Sequence, residues 1–95
     1  MSRKVVDFAE KVEFRGMTIN NRKVLVALAE SSKNLNCIMT FKMIGDACGL
    51  SKQTAKNNVR KLESLGILSC NNQYRINDKM PYNYRINIKW VDYGG

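Results

Sequence analysis

The sequence predicts a mainly helical α+β fold: a three-helix core, an extra N-terminal helix and a C-terminal β-hairpin. Three observations predict it. Residues 40–66 carry two helical patterns separated at Gly49. Residues Tyr82 to Trp90 alternate strictly between apolar and polar, the period of a strand with one buried face. A chain of 95 residues, 44% of them hydrophobic, is enough for one modest core. The expected organisation is a single domain over 1–95, with a helical arm over 1–16, a core over 18–90 and a tail over 91–95.

The arm reads as an amphipathic helix. Val5, Phe8, Ala9 and Val12 share one face, Asp7, Glu10, Lys11 and Glu13 the other, and Gly16 ends it. So short a helix needs a packing surface, which is either its own domain or a partner subunit. Residues 12–17 also fit an extended segment. Asn20 or Asn21 then caps a helix from about Arg22 to Ser31, with Val24, Leu25, Leu28 and Ala29 inward. Residues 31–36 form a polar connector, and Cys37-Ile38-Met39 is a short strand.

Thr40 caps the next helix, whose inner positions are Phe41, Ile44 and Ala47, and Gly49 supplies the left-handed residue that stops it. Leu50 is a buried spacer. Ser51 caps the following helix, and Gly66 closes it. A short helix, a turn containing glycine and a capped second helix make a helix-turn-helix pattern. At about 100° per residue, Ala55, Val59 and Leu62 fall within about 60° of one another as a narrow buried stripe. Gln53, Asn57, Arg60 and Ser64 point the other way, flanked by Thr54, Lys56 and Lys61. After Gly66 the hairpin begins with Ile67 to Cys70, bulges at Asn71-Asn72 and continues through Tyr74-Arg75-Ile76. It turns over Asn77 to Pro81 and returns with Tyr82, Tyr84, Ile86, Ile88 and Trp90 on one face.

Residues from about Asn20 to Ile88 resemble a winged helix-turn-helix DNA-binding domain of small bacterial and phage regulators. The residues that carry the likeness are I-G-D-A-C-G-L-S-K-Q-T from Ile44, R-K-L-E-S-L-G-I-L from Arg60 and Y-N-Y-R-I-N-I from Tyr82. The nearest likeness is to winged-helix domains of plasmid and phage replication or partition proteins. Multidrug-resistance-type repressors come second. They usually carry an Asp-x-Arg element in the wing, where this chain has Asp78-Lys79-Met80. The resemblance implies a homodimer, since such small proteins often dimerise through terminal helices.

Composition points the same way. Sixteen Lys and Arg against eight Asp and Glu give a net charge of +8. The excess is densest over 51–66, where Lys52, Lys56, Arg60 and Lys61 face only Glu63. Histidine is absent, so the commonest general base and metal ligand is missing. Gly45, Gly49 and Gly66 are spaced as helix punctuation, not as a phosphate-cradling loop. Cys37, Cys48 and Cys70 lack metal-site spacing, and Cys48 and Cys70 read as small buried hydrophobes. An enzyme, a cofactor and a small-molecule substrate are therefore not expected. No apolar run approaches a membrane span and no signal peptide is evident, so the expected location is cytoplasmic.

The DNA-contact set is Thr40, Lys42, Ser51, Lys52, Gln53, Thr54, Lys56, Asn57, Arg60, Lys61, Arg75 and Lys79. Ser51, Lys52 and the amides at the helix start suit a phosphate. Gln53, Asn57 and Arg60 suit base edges, because amides pair with adenine and guanidinium with guanine. Thr54 can meet a thymine methyl, Lys56 and Lys61 the backbone. Arg75 and Lys79 bring charge to the wing, within reach of a phosphate or the minor groove. Any one of these is also an ordinary solvated side chain; their concentration on one helix favours a double-stranded DNA partner. With no effector domain evident, the protein is expected to regulate transcription, or to serve replication or partition, by occupying a site. The competing reading is a protein-interaction module, such as a phage-encoded inhibitor of a host protein.

Overall fold

Three hydroxyl side chains start three of the helices. Thr18 Oγ1 accepts from the Asn21 amide at 3.1 Å, Thr40 Oγ1 from Met43 at 3.0 Å and Ser51 Oγ from Thr54 at 3.1 Å. Each satisfies an amide that has no partner inside its own helix. The computed structural model describes residues 3–33, 35–70 and 82–87. In chain order its elements are α1 (Arg3–Lys11), α2 (Ile19–Glu30), β1 (Asn36–Met39), α3 (Phe41–Cys48), α4 (Lys52–Ser64), β2 (Leu68–Cys70) and β3 (Tyr82–Ile86). The class is α+β and mainly helical, as the sequence predicts. Among the described residues, no helix is long and apolar enough to cross a membrane.

Helix α1 packs on α2 of its own chain, which settles where its apolar face goes. Val5, Phe8, Ala9 and Val12 all enter the core. The helix ends at Lys11, five residues before Gly16. Arg22 of α2 donates from its guanidinium to the Ala9 carbonyl at 2.9 Å, supplying a partner to the last turn of α1. Met17 then donates to the Phe14 carbonyl at 3.1 Å, and Gly16 takes φ +83 in the turn between them. Gly16 thus shapes a turn beyond the helix and does not end it.

Helix α2 starts at Ile19, not near Arg22, because its cap is Thr18 and not Asn20 or Asn21. Thr18 and Asn21 cap one another: the Thr18 amide donates to Asn21 Oδ1 at 3.0 Å while Thr18 Oγ1 receives the Asn21 amide. Asn21 is thereby buried in the first turn. Val24, Leu25, Leu28 and Ala29 line the inner face as expected.

The α3 boundaries match expectation, but its inner face does not. Phe41, Ile44 and Gly45 are buried, and Ala47 is exposed. A Cβ on Gly45 would lie 2.6 Å from the Leu50 carbonyl oxygen, so only glycine lets the turn fold back this closely. Gly49, at φ +71, makes the left-handed stop, and the Leu50 amide donates to Gly45 O at 2.8 Å. Leu50 is half-buried, not fully enclosed. Helix α4 ends in the same manner: Gly66 has φ +85, and the Gly66 and Ile67 amides return to Glu63 O and Leu62 O.

The sheet is antiparallel with order β1-β3-β2. Cys37 and Cys70 lie opposite Tyr84 from either side. Tyr84 and Ile86 are buried while Arg85 and Asn87 are exposed, as the alternation predicts, but Asn83, expected on the outward face, is half-buried. The expected bulge at 71–72, strand at 74–76, tip at 77–81, and Ile88 to Gly95 with Trp90 lie outside the described residues. The cysteines are free and differ from expectation. Cys37 is the buried one, and its thiol is pushed up to about 11 by burial. Cys48 and Cys70 sit half-buried at the rim of the core. Cys48, at the α3 terminus, donates its thiol to Lys23 O at 3.4 Å.

Candidate nucleic-acid interface

Helix α4 has the two faces that its sequence spacing requires. Ala55, Val59 and Leu62 are fully buried and fasten it to α2, α3 and β2. Lys52, Gln53, Asn57, Arg60, Lys61 and Ser64 are exposed, and Thr54 and Lys56 are half-buried at the flanks. The single carboxylate of the helix, Glu63, is half-buried off this row. The outward row therefore offers amides, a guanidinium and ammonium groups to whatever meets it.

Several of these side chains are already engaged, which refines the expected roles. Gln53 Nε2 donates to Asn57 Oδ1 at 3.0 Å. Asn57 then has its amide NH₂ left to donate and Gln53 has its carbonyl left to accept. As folded, the two amides together offer a donor-acceptor pair of the kind that adenine takes. The Ser51 hydroxyl takes the Thr54 amide and donates to Thr54 Oγ1 at 2.9 Å, so capping occupies the group assigned to a phosphate. Thr40 is likewise occupied as the α3 cap. Lys52 is the exposed cation at the α4 start.

Two lysines are drawn toward the protein. The Lys56 ammonium lies 5.9 Å from the centre of the Phe41 ring, a cation–π distance that pulls it toward α3. Lys42 pairs with Asp46 at 3.0 Å one turn along α3. Both partners of that pair are well exposed, and such pairs contribute about 0.5 kcal/mol or less, so Lys42 can be redirected at small cost. Arg60 and Lys61 remain the best-placed charges. Arg75 and Lys79 lie outside the described residues, so the sites assembled here are those on α3 and α4.

Two residues outside the sequence-predicted set join α4 to the rest of the chain. Asn21 Nδ2 donates to Asn58 Oδ1 at 2.6 Å, and Asn58 Nδ2 donates to the Thr54 carbonyl at 2.8 Å. Beside them a shallow cleft of about 260 Å³ is lined by Gly16, Thr18, Asn21, Asn57, Asn58 and Lys61. It carries no carboxylate and runs from the outward row of α4 to the loop before α2. The only sequence signal for this junction was a second asparagine beside Asn57, at the border of the apolar stripe. Among the described residues no group of three His, Cys, Asp or Glu side chains could hold a metal ion.

Compared with known proteins, the chain matches no family model, no curated protein and no solved structure.

Proposed function

We propose that this chain is a winged helix-turn-helix domain that binds double-stranded DNA in a sequence-specific manner. The observation that carries the reading is the outward row of α4: Gln53, Asn57, Arg60 and Lys61 exposed together, without a carboxylate, on a helix anchored by Ala55, Val59 and Leu62. A helix of 13 residues is about 20 Å long and fits the major groove. In that placement Arg60 and the Gln53–Asn57 amides meet base edges. Lys52 and Lys61 meet phosphates, and the β2–β3 hairpin flanks the duplex. The order of elements, with a strand before α3 and two after α4, supports the winged reading. Occupying a site, the protein acts as a small transcription regulator or as a replication or partition factor. Two copies reading half-sites about 34 Å apart supply the affinity that one module lacks.

The test is selection of bound fragments from a random duplex pool, followed by titration at several salt concentrations. The expected result is a recovered consensus with two-fold symmetry and an affinity that falls steeply as salt rises. Recovery of no consensus, with weak binding to every duplex, would leave a DNA-coating protein. Failure to retain any DNA at low salt would favour the protein-interaction module, for which the exposed Ile19, Ile38 and Met43 are the relevant side chains.

A further inference from the structure

We propose that Asn58, held by Asn21, is a positioning residue that fixes the roll of α4 and so the aim of its base-reading row. The proposal rests on the DNA-binding reading of that row and adds a residue that touches no base.

The buried residues of α4 lie on one narrow stripe: Ala55, Val59 and Leu62. Apolar burial is non-directional, so three such residues hold a helix close without strongly fixing its rotation about its own axis. A hydrogen bond weakens steeply once misaligned. Asn58 lies about 100° around the helix from Val59, at the edge of the apolar stripe, where a directional contact resists roll best. Its amide is used at both ends. Oδ1 accepts from Asn21 Nδ2 at 2.6 Å, and Nδ2 donates to its own helix at Thr54 O, 2.8 Å away.

Asn21 is fixed in turn. It is 5% exposed, its Oδ1 receives the Thr18 amide and its own amide is held by Thr18 Oγ1. Both members of the inter-helix bond are therefore pinned to their own helices, and the bond transmits the orientation of the α2 start to the middle of α4. The lever is large. A roll of about 20° moves a group about 6 Å from the helix axis by about 2 Å, enough to break a two-point base contact.

The test uses the whole chain with Asn58→Leu, which keeps the bulk and improves helix propensity, and Asn58→Ser as a second variant should the first not fold. Two readouts are taken on folded protein. Residual dipolar couplings of α2 and α4 amides, measured without DNA, report the roll. Affinity for a selected site relative to scrambled DNA reports reading. The expected result is α4 couplings that no longer fit the wild-type orientation, with the selected-to-scrambled ratio lowered about tenfold. Unchanged couplings, or equal losses on both DNAs, would overturn the proposal. If the wild type itself fails to prefer any site, the DNA reading falls, while the couplings still decide whether Asn58 sets the helix.

Discussion

Residues on the two faces of α4 do opposite work, and single substitutions should expose the difference. Leu62 is fully buried in the core, whereas Asn57 is exposed. Leu62→Ala should cost about 2–5 kcal/mol in denaturant unfolding, and Asn57→Ala should stay within about 0.5 kcal/mol. Equal effects would mean that the phase of the helix is wrong. Cys37 offers a pH signature. Its thiol, ordinarily at 9.0, is raised to about 11 by burial, so the folded state holds that proton more tightly than the unfolded chain. The sign follows: between pH 9 and 11 the unfolded chain binds fewer protons, so stability is intact below 9 and is lost as pH rises toward 11. Denaturation midpoints across that window should fall more steeply for the wild type than for Cys37→Ala. Parallel curves would contradict the burial argument.

At the scale of elements, legibility in the sequence followed how local the cause was. The starts of α3 and α4 were readable because a single capping hydroxyl precedes each apolar pattern, and their ends because glycine must take a left-handed backbone. The start of α2 was ambiguous. Asn20 or Asn21 was the expected cap, whereas Thr18 takes that place and Asn21 serves as its partner one turn in, with its amide NH₂ reaching Asn58. Helix α3, with eight residues, is too short for its periodicity to separate Ala47 from Gly45 as the inner residue. What decides is the approach of Leu50 O, which is a tertiary fact. That contact makes a prediction against propensity. Alanine favours a helix interior over glycine by about 1 kcal/mol, yet Gly45→Ala should destabilise by about 1–3 kcal/mol because the obstructing atom is backbone and cannot rotate away. Thermal unfolding of the variant decides the sign; a raised midpoint would show that the α3–α4 turn yields more easily than its geometry implies.

At the scale of the whole molecule, the chain builds one hydrophobic core that presents α4. Among the described residues the core gathers side chains from all four helices and all three strands, so α1 supports α4 through α2. The outward row of α4 was legible in the sequence, because residue type and helical spacing suffice to place it. The engagement of Gln53 with Asn57, and of Lys56 with Phe41, was not, because those depend on rotamers and on a neighbouring helix. The central claim is that this row reads sequence instead of merely attracting phosphate. Its most direct measurement compares Arg60→Ala and Lys61→Ala by titration on a selected site and on scrambled DNA, at several salt concentrations. The account predicts that Arg60→Ala costs about 1–3 kcal/mol on the selected site and less on scrambled DNA. It predicts that Lys61→Ala weakens both alike and reduces the salt slope by about one unit. Equal losses on both DNAs for Arg60→Ala would contradict it.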